Sequence, residues 1–351
     1  MRLLALAAAL LLSACGGPSK DAPPAEPSAN AYRLTFAGDT LLGDGAKKLI
    51  ADKGYAYVLD PVKPAVRGDF VMVNLEVPIT TLGRDDVPDS DRKWTYNMTP
   101  EAAKALVGLG IDAFGFANNH TLDRGPQGLT DTLAAAKALG VQVGGAGADR
   151  AAAEAPILVD TPHGRVAILT FVYTKDTLPE ATETTAGVVF STAQNVARGR
   201  ELAAQAGAKY TIAFVHFRGS YDGLHGGQKR TTKLFAKEGY DLVVGHGPHI
   251  AHPVGRVADT MVLWSLGNFV FNTPGRFKHK GTTGEAIVAT AVLGPGGFER
   301  LELGCIQADN QVTKYRTRPC DDAERGRLLE LLGPMASMEG ELAVVPWGAK
   351  E

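Results

Sequence analysis

Five apolar segments of this 351-residue sequence each run into a side chain that can hold a metal ion or move a proton. Arg33 to Ala37 leads to Gly38-Asp39, and Phe70 to Leu75 leads to Glu76. Asp112 to Ala117 leads to Asn118-Asn119-His120, Tyr210 to Val215 to His216, and Leu242 to Val244 to Gly245-His246. Carboxylate, amide oxygen and imidazole are the donors of Mn, Fe or Zn sites. One carboxylate after a strand is commonly a helix cap, but capping does not explain five such endings in order. His249 follows His246 across Gly247-Pro248, a pair that imposes a tight non-helical turn and can aim both imidazoles at one place. The pattern makes Asp39, Glu76, Asn119 or His120, His216, His246 and His249 candidates for metal binding or catalysis. His120, beside Asn119, can stay off the metal and act as an acid. Asp123 could hydrogen-bond His120 or cap the helix that follows. His252 lies close to the pair and is either a supporting or a surface residue. No cysteine has metal-ligand spacing, which argues against a structural zinc site.

The elements that must deliver these groups alternate. Val166 to Val172 and Met261 to Ser265 add two further strands. Helices are expected over 100–109, with Thr99 as cap and Pro100 in the first turn, and over 127–139, 193–206 and 228–237. Such alternation argues for βαβ units and a largely parallel sheet. Ligands then collect beyond the carboxyl ends of the strands. Segments 285–293 and 298–303 read as an antiparallel pair, followed by a helix near 322–333 and a weakly structured tail. One domain is expected over 31–351, with its motifs within 31–275.

Apolar residues make up 45% and charged residues 21% of the chain, an ordinary globular composition. A net charge of −2 shows no footprint for nucleic acid. The N-terminus differs. Met1-Arg2 precedes an apolar run, Leu3 to Leu12, too short to span a bilayer but of the length of a signal-peptide core. Leu12-Ser13-Ala14-Cys15 resembles a bacterial lipobox, which implies a signal peptide over 1–14 and lipidation of Cys15. Gly16 after that cysteine favours sorting to an outer membrane where the cell has one. Residues 15–30, rich in Pro, Ala and Ser, read as a tether. In an exported protein Cys305 and Cys320 are candidates for one disulfide or for two buried thiols.

The motifs Phe36-Ala37-Gly38-Asp39, Val73-Asn74-Leu75-Glu76-Val77-Pro78, Ala117 to Gly125, Gly245-His246-Gly247-Pro248-His249 and Ser265-Leu266-Gly267-Asn268-Phe269 together resemble the CapA family of bacterial capsule and poly-γ-glutamate synthesis proteins. That family is similar to the calcineurin-like metallophosphatases. The resemblance implies an α/β fold, a metallophosphatase-like β-sandwich flanked by helices in a single domain. It implies a di-metal, phosphoesterase-like hydrolase site, with Asp39, Glu76, Asn119, His216, His246 and His249 as ligands of one or two divalent ions. Glu76 is then the bridging carboxylate, His120 the catalytic histidine and Asp123 beside it. Asn74, Asn118 and Arg218 are expected to face substrate. The implied partners are an anionic polymer or phosphoester, a membrane reached through the lipid anchor, and a membrane polymer-synthesis complex. The alternative is a non-catalytic polymer-binding component that keeps the fold.

Four positions depart from the resemblance. Leu41 stands where calcineurin-like enzymes carry a histidine. His216-Phe217-Arg218-Gly219-Ser220-Tyr221 has Ser220 in place of the family glutamate and introduces Arg218, which can bind phosphate or carboxylate. Gly247 stands where relatives often carry histidine.

Overall fold

The computed structural model describes residues 26–86, 94–173 and 178–349. The expected signal peptide, Cys15 and most of the tether lie outside the described residues. No helix of the described residues is long and apolar enough to cross a membrane.

Two sheets face each other. In the first, Tyr32–Leu41, Phe70–Leu75, Ala113–Gly115 and Gln142–Gly144 run parallel. Tyr32–Leu41 then pairs antiparallel with Glu285–Gly294, which pairs with Gly297–Gln307. In the second, Gly164–Val172, Tyr210–His216, Leu242–His246 and Thr260–Leu263 run parallel. Ile157–Thr161 and Val254–Val257 close its edges antiparallel. The expected parallel sheet is thus two mixed sheets. Hydrophobic repeats within a strand do not say which strands share a sheet.

Leu34, Phe36, Phe70 and Met72 of the first sheet meet Ile168, Ile212, Phe214 and Leu242 of the second in a shared core. Phe36 and Phe214 meet across the gap as a tilted pair with ring centroids 6.1 Å apart. The outer faces are covered by helices. Leu106 of Pro100–Val107 and Leu129 of Gly125–Ala138 pack under the first sheet. Val196 of Ala193–Gln205 and Phe235 of Gly226–Lys237 pack under the second. Phe70–Leu75, Tyr210–His216, Leu242–His246 and Thr260–Leu263 are buried along their whole length, which is why they read as unbroken apolar runs. The architecture is the expected sandwich flanked by helices. Thr99 caps its helix as expected, its hydroxyl accepting from Ala102 N at 3.3 Å.

Three details differ from expectation. Residues Lys47–Leu59 form an additional helix, interrupted at Gly54 (φ 82°, ψ 168°), so its apolar residues show no continuous helical period. The tail is structured. Ser337–Glu339 and Leu342–Pro346 extend the first sheet, and Val344 and Val345 are fully buried. The tether ends early, because Ser28 N and Oγ donate to the Glu299 carboxylate at 2.9 and 2.5 Å. Cys305 and Cys320 form a disulfide.

Candidate metal centre

The carboxyl ends of the parallel strands of both sheets open at one edge of the sandwich. The first sheet delivers Asp39, Glu76 and the loop Asn118-Asn119-His120. The second delivers His216 and His246, with His249 on the turn after it. Carboxylates therefore come from one sheet and three imidazoles from the other.

Asp39 owes its position to an irregularity in the strand. Ala37 pairs with Val73 and Asp39 with Asn74, so Gly38 is one extra residue, a bulge that re-aims the side chain after it. Only glycine fits there, since a Cβ would stand 1.8 Å from Gly267 O. Gly247 has a similar constraint. It sits at φ 103°, where a Cβ would meet Phe217 O at 2.3 Å, so the histidine of relatives does not fit this backbone. Its N–H donates to Asp39 Oδ1 at 3.0 Å. His249 itself holds φ 66°, a left-handed conformation rare for a bulky residue and concentrated at functional sites.

Two sets of donor atoms converge: Asp39, His216 and His246, and Asp39, Glu76 and His249, each within 4.8 Å of one another. His216 Nδ1 and His246 Nδ1 face each other at 3.2 Å. His249 Nδ1 lies 3.1 Å from Asp39 Oδ2 and 2.9 Å from Asn268 Oδ1. Asp39 is common to both sets. Glu76 Oε1 reaches one imidazole of each, 3.8 Å from His216 Nε2 and 3.9 Å from His249 Nε2. Asp39 and Glu76 thus both lie against donors of both sets, and either carboxylate could contact two ions.

Several buried atoms here have no hydrogen-bond partner: both Glu76 oxygens, His246 Nε2 and Asn119 Oδ1. Orphaned buried polar atoms are costly, and a cation is the partner that a cluster of acceptors lacks. The residues fit divalent ions in other respects too. Burial pushes the His216 and His246 imidazoles below their usual range, which favours the neutral form that ligates a metal. Burial and the charge of Asp39 push Glu76 well above the carboxylate range. Burial also acts to raise Asp39, but His246 and His249 outweigh it and hold it well below its usual value. Two buried carboxylates that cannot both ionise alone are compatible with charge brought by a cation.

His120 belongs to neither set. Its Nδ1 lies 2.6 Å from Asp123 Oδ2, whose oxygen also accepts from Tyr96 N at 2.8 Å. Asp123 is thus the partner of His120 and not a helix cap, the cap position of Gly125–Ala138 being Arg124. His120, Asn119 and His249 line a cleft of about 750 Å³ whose walls include Tyr96, Tyr221 and Phe271.

The remaining expectations need correction. Asn74 and Asn118, expected to face substrate, are both fully buried and engaged within the protein. Asn74 Nδ2 donates to Asp39 Oδ1 at 2.8 Å, and Asn118 Nδ2 donates to Asn74 Oδ1 at 3.1 Å and Leu75 O at 2.7 Å. They form an amide chain that holds Asp39 in place. Arg218 is exposed and is not among the cleft's lining residues, whereas Gly219, Ser220, Tyr221, Arg84 and Arg276 are. His252 is a supporting residue, its Nε2 2.9 Å from Asp222 O and its Nδ1 3.3 Å from Gln228 Nε2. Leu41 is fully buried in the core under the first sheet. Sequence reasoning missed Asn268, although its Gly267-Asn268 ending matched the pattern of the other strands. It also missed Trp94, Tyr96 and Arg276, which come from segments without periodicity.

Comparison with known proteins places the chain. Residues 33–273 match the family model "Bacterial capsule synthesis protein PGA_cap". The chain is 27% identical over 241 residues to the PGA biosynthesis protein CapA of Bacillus subtilis, covering 68% of this chain and 63% of that protein. It is 26% identical over 252 residues to the capsule biosynthesis protein CapA of Bacillus anthracis, covering 68% of this chain and 59% of that one. It is 32% identical over 225 residues to a probable polyglutamine synthesis accessory protein of Mycobacterium tuberculosis, covering 60% and 58%. The chain thus matches about three fifths of each relative's own length. Among solved structures, the NAD nucleotidase of Haemophilus influenzae is similar at a TM-score of 0.44 and 10% identity, covering 86% of this chain and 55% of that one. Five motifs in order and a family match across the two-sheet body lead to one assignment: the chain belongs to the PGA_cap family of bacterial capsule synthesis proteins.

Proposed function

We propose that this is an envelope protein of the CapA type that serves the synthesis or export of an anionic capsule-like polymer through a metal-dependent phosphoester-hydrolase site. The observation that carries the hydrolase reading is the pair of ligand sets sharing Asp39, lined by buried atoms that lack partners. The polymer reading draws on the names of the Bacillus relatives.

Asp39, Glu76, Asn119, His216, His246 and His249 would hold the ions. Divalent ions of the Mn, Fe or Zn type supply Lewis acidity toward a phosphoryl oxygen and acidify water. The chain's own residues do the rest. The Asn118–Asn74 chain fixes Asp39. Asp123 engages His120 Nδ1, which leaves Nε2 as the ring nitrogen able to give a proton to a leaving oxygen. Tyr96 and Tyr221 wall the cleft. Lipidation at Cys15 and the tether beyond it would keep the body beside a membrane assembly. Retention in the membrane fraction should be lost in Cys15→Ser.

A second reading, a polymer-binding component without hydrolysis, is favoured by one observation: Ser220, at the position of the family glutamate, lines the cleft. A panel of phosphomonoesters and phosphodiesters separates the two. The hydrolase reading predicts turnover by Mn- or Zn-loaded protein that stops on chelation. Metal-loaded protein that turns over none of them transfers preference to the binding component.

A further inference from the structure

We infer that the outer part of the cleft is a second anion-binding position, centred on Arg276, and that the substrate carries an oxyanion beyond the group held near Asp39. This rests on the metal-centre reading above. Arg276 ends the loop after Asn268–Phe271 and precedes the short helix Phe277–Lys280, anchored by buried Phe277. Its guanidinium carbon lies 5.8 Å from the Trp94 ring and 5.9 Å from the Tyr221 ring. Aromatic rings flank the guanidinium, while its N–H donors lie in its plane and can grip an oxyanion in bidentate fashion. Among the described residues this guanidinium has neither a hydrogen bond nor an ion pair. Lys280, four residues on, contrasts with it by pairing with Asp222 at 3.6 Å.

One ring separates Arg276 from the metal centre. Tyr221 packs on His249 with centroids 5.3 Å apart. Tyr221 also holds a left-handed φ of 59°, and its N–H donates to Pro248 O at 2.8 Å. The strained tyrosine thus fixes the spacing between the two positions. Among the described residues, the charged side chains lining the cleft are those of Asp44, Arg84 and Arg276, a balance that favours an anion at the rim. Trp94, 52% exposed, offers a flat face beside it.

The shared chemistry is an oxyanion, supplied by either carboxylate or phosphate. Three probes on the full, metal-loaded chain distinguish these: glycerol 3-phosphate, 3-phosphoglycerate and fructose 1,6-bisphosphate. Dissociation constants from calorimetry and Trp94 fluorescence should favour a two-anion probe over glycerol 3-phosphate. The preferred probe identifies the second group. Arg276→Gln should cut that preference about tenfold at unchanged metal content, and Arg276→Lys should restore part of it. A preference that survives in Arg276→Gln overturns the inference. So does wild-type protein that does not favour either two-anion probe. If the preference behaves as stated while no ester is hydrolysed, the anion position stands and the hydrolase reading falls.

Discussion

His120→Ala should lower phosphoester turnover by about 10²–10⁴-fold while metal content stays at the wild-type level. The two readouts separate because His120 stands outside both ligand sets yet lines the same cleft as Asn119 and His249. The Asp123 carboxylate 2.6 Å from Nδ1 and the Tyr96 ring, 5.0 Å away between centroids, hold the imidazole in one orientation. A positioned acid of this kind contributes to the transition state and little to substrate binding, so kcat should fall and KM should change little. Asp123→Asn should give a smaller loss, because the ring remains but its orienting charge is gone. Turnover equal to wild type in His120→Ala would remove the histidine from the chemistry. Loss of metal in the same variant would make its role structural.

Gly38→Ala has the largest expected structural effect of any single methyl group. The added carbon would lie 1.8 Å from Gly267 O, a backbone atom that also accepts from Asp39 N at 3.1 Å. Neither partner is the end of a flexible side chain, so relief requires moving the strand Tyr32–Leu41 or the turn before Asn268. Overpacking of this kind costs about 3 kcal/mol or more. Because the displaced segment carries Asp39, metal affinity should fall together with stability. Thermal unfolding and metal titration of Gly38→Ala can be read against Gly326→Ala. Gly326 lies in the helix Asp322–Leu332, where a Cβ meets nothing within 4 Å. That control should be neutral or slightly stabilising. Wild-type melting and affinity in Gly38→Ala would show that the bulge does not position the site.

The candidate metal ligands were legible because parallel strands buried on both faces leave unbroken apolar runs, and each run here stops at a residue able to hold a metal. Phe70 to Leu75 before Glu76 and Tyr210 to Val215 before His216 are the clearest cases. Three kinds of information were not local. The pairing of Asn74 with Asp39 and Asn118 depends on the register of neighbouring strands, so an amide chain looked like substrate contacts. The strand Leu342–Pro346 is stabilised by an edge formed far upstream, at Gly297–Gln307. Its Leu-Ala-Val-Val run was the available signal. Trp94, Tyr221 and Arg276 come from three separate loops, and only the closure of the sandwich edge brings them to one rim.

The central claim is that the sandwich edge binds metal through residues from both sheets. Metal analysis of the purified protein after loading with Mn or Zn tests it most directly, with wild type beside His246→Ala/His249→Ala. That variant removes one imidazole from each ligand set. The account predicts about two equivalents in the wild type, one per set, and none retained in the double variant. A wild type that stays metal-free, or a double variant that keeps its metal, would contradict it.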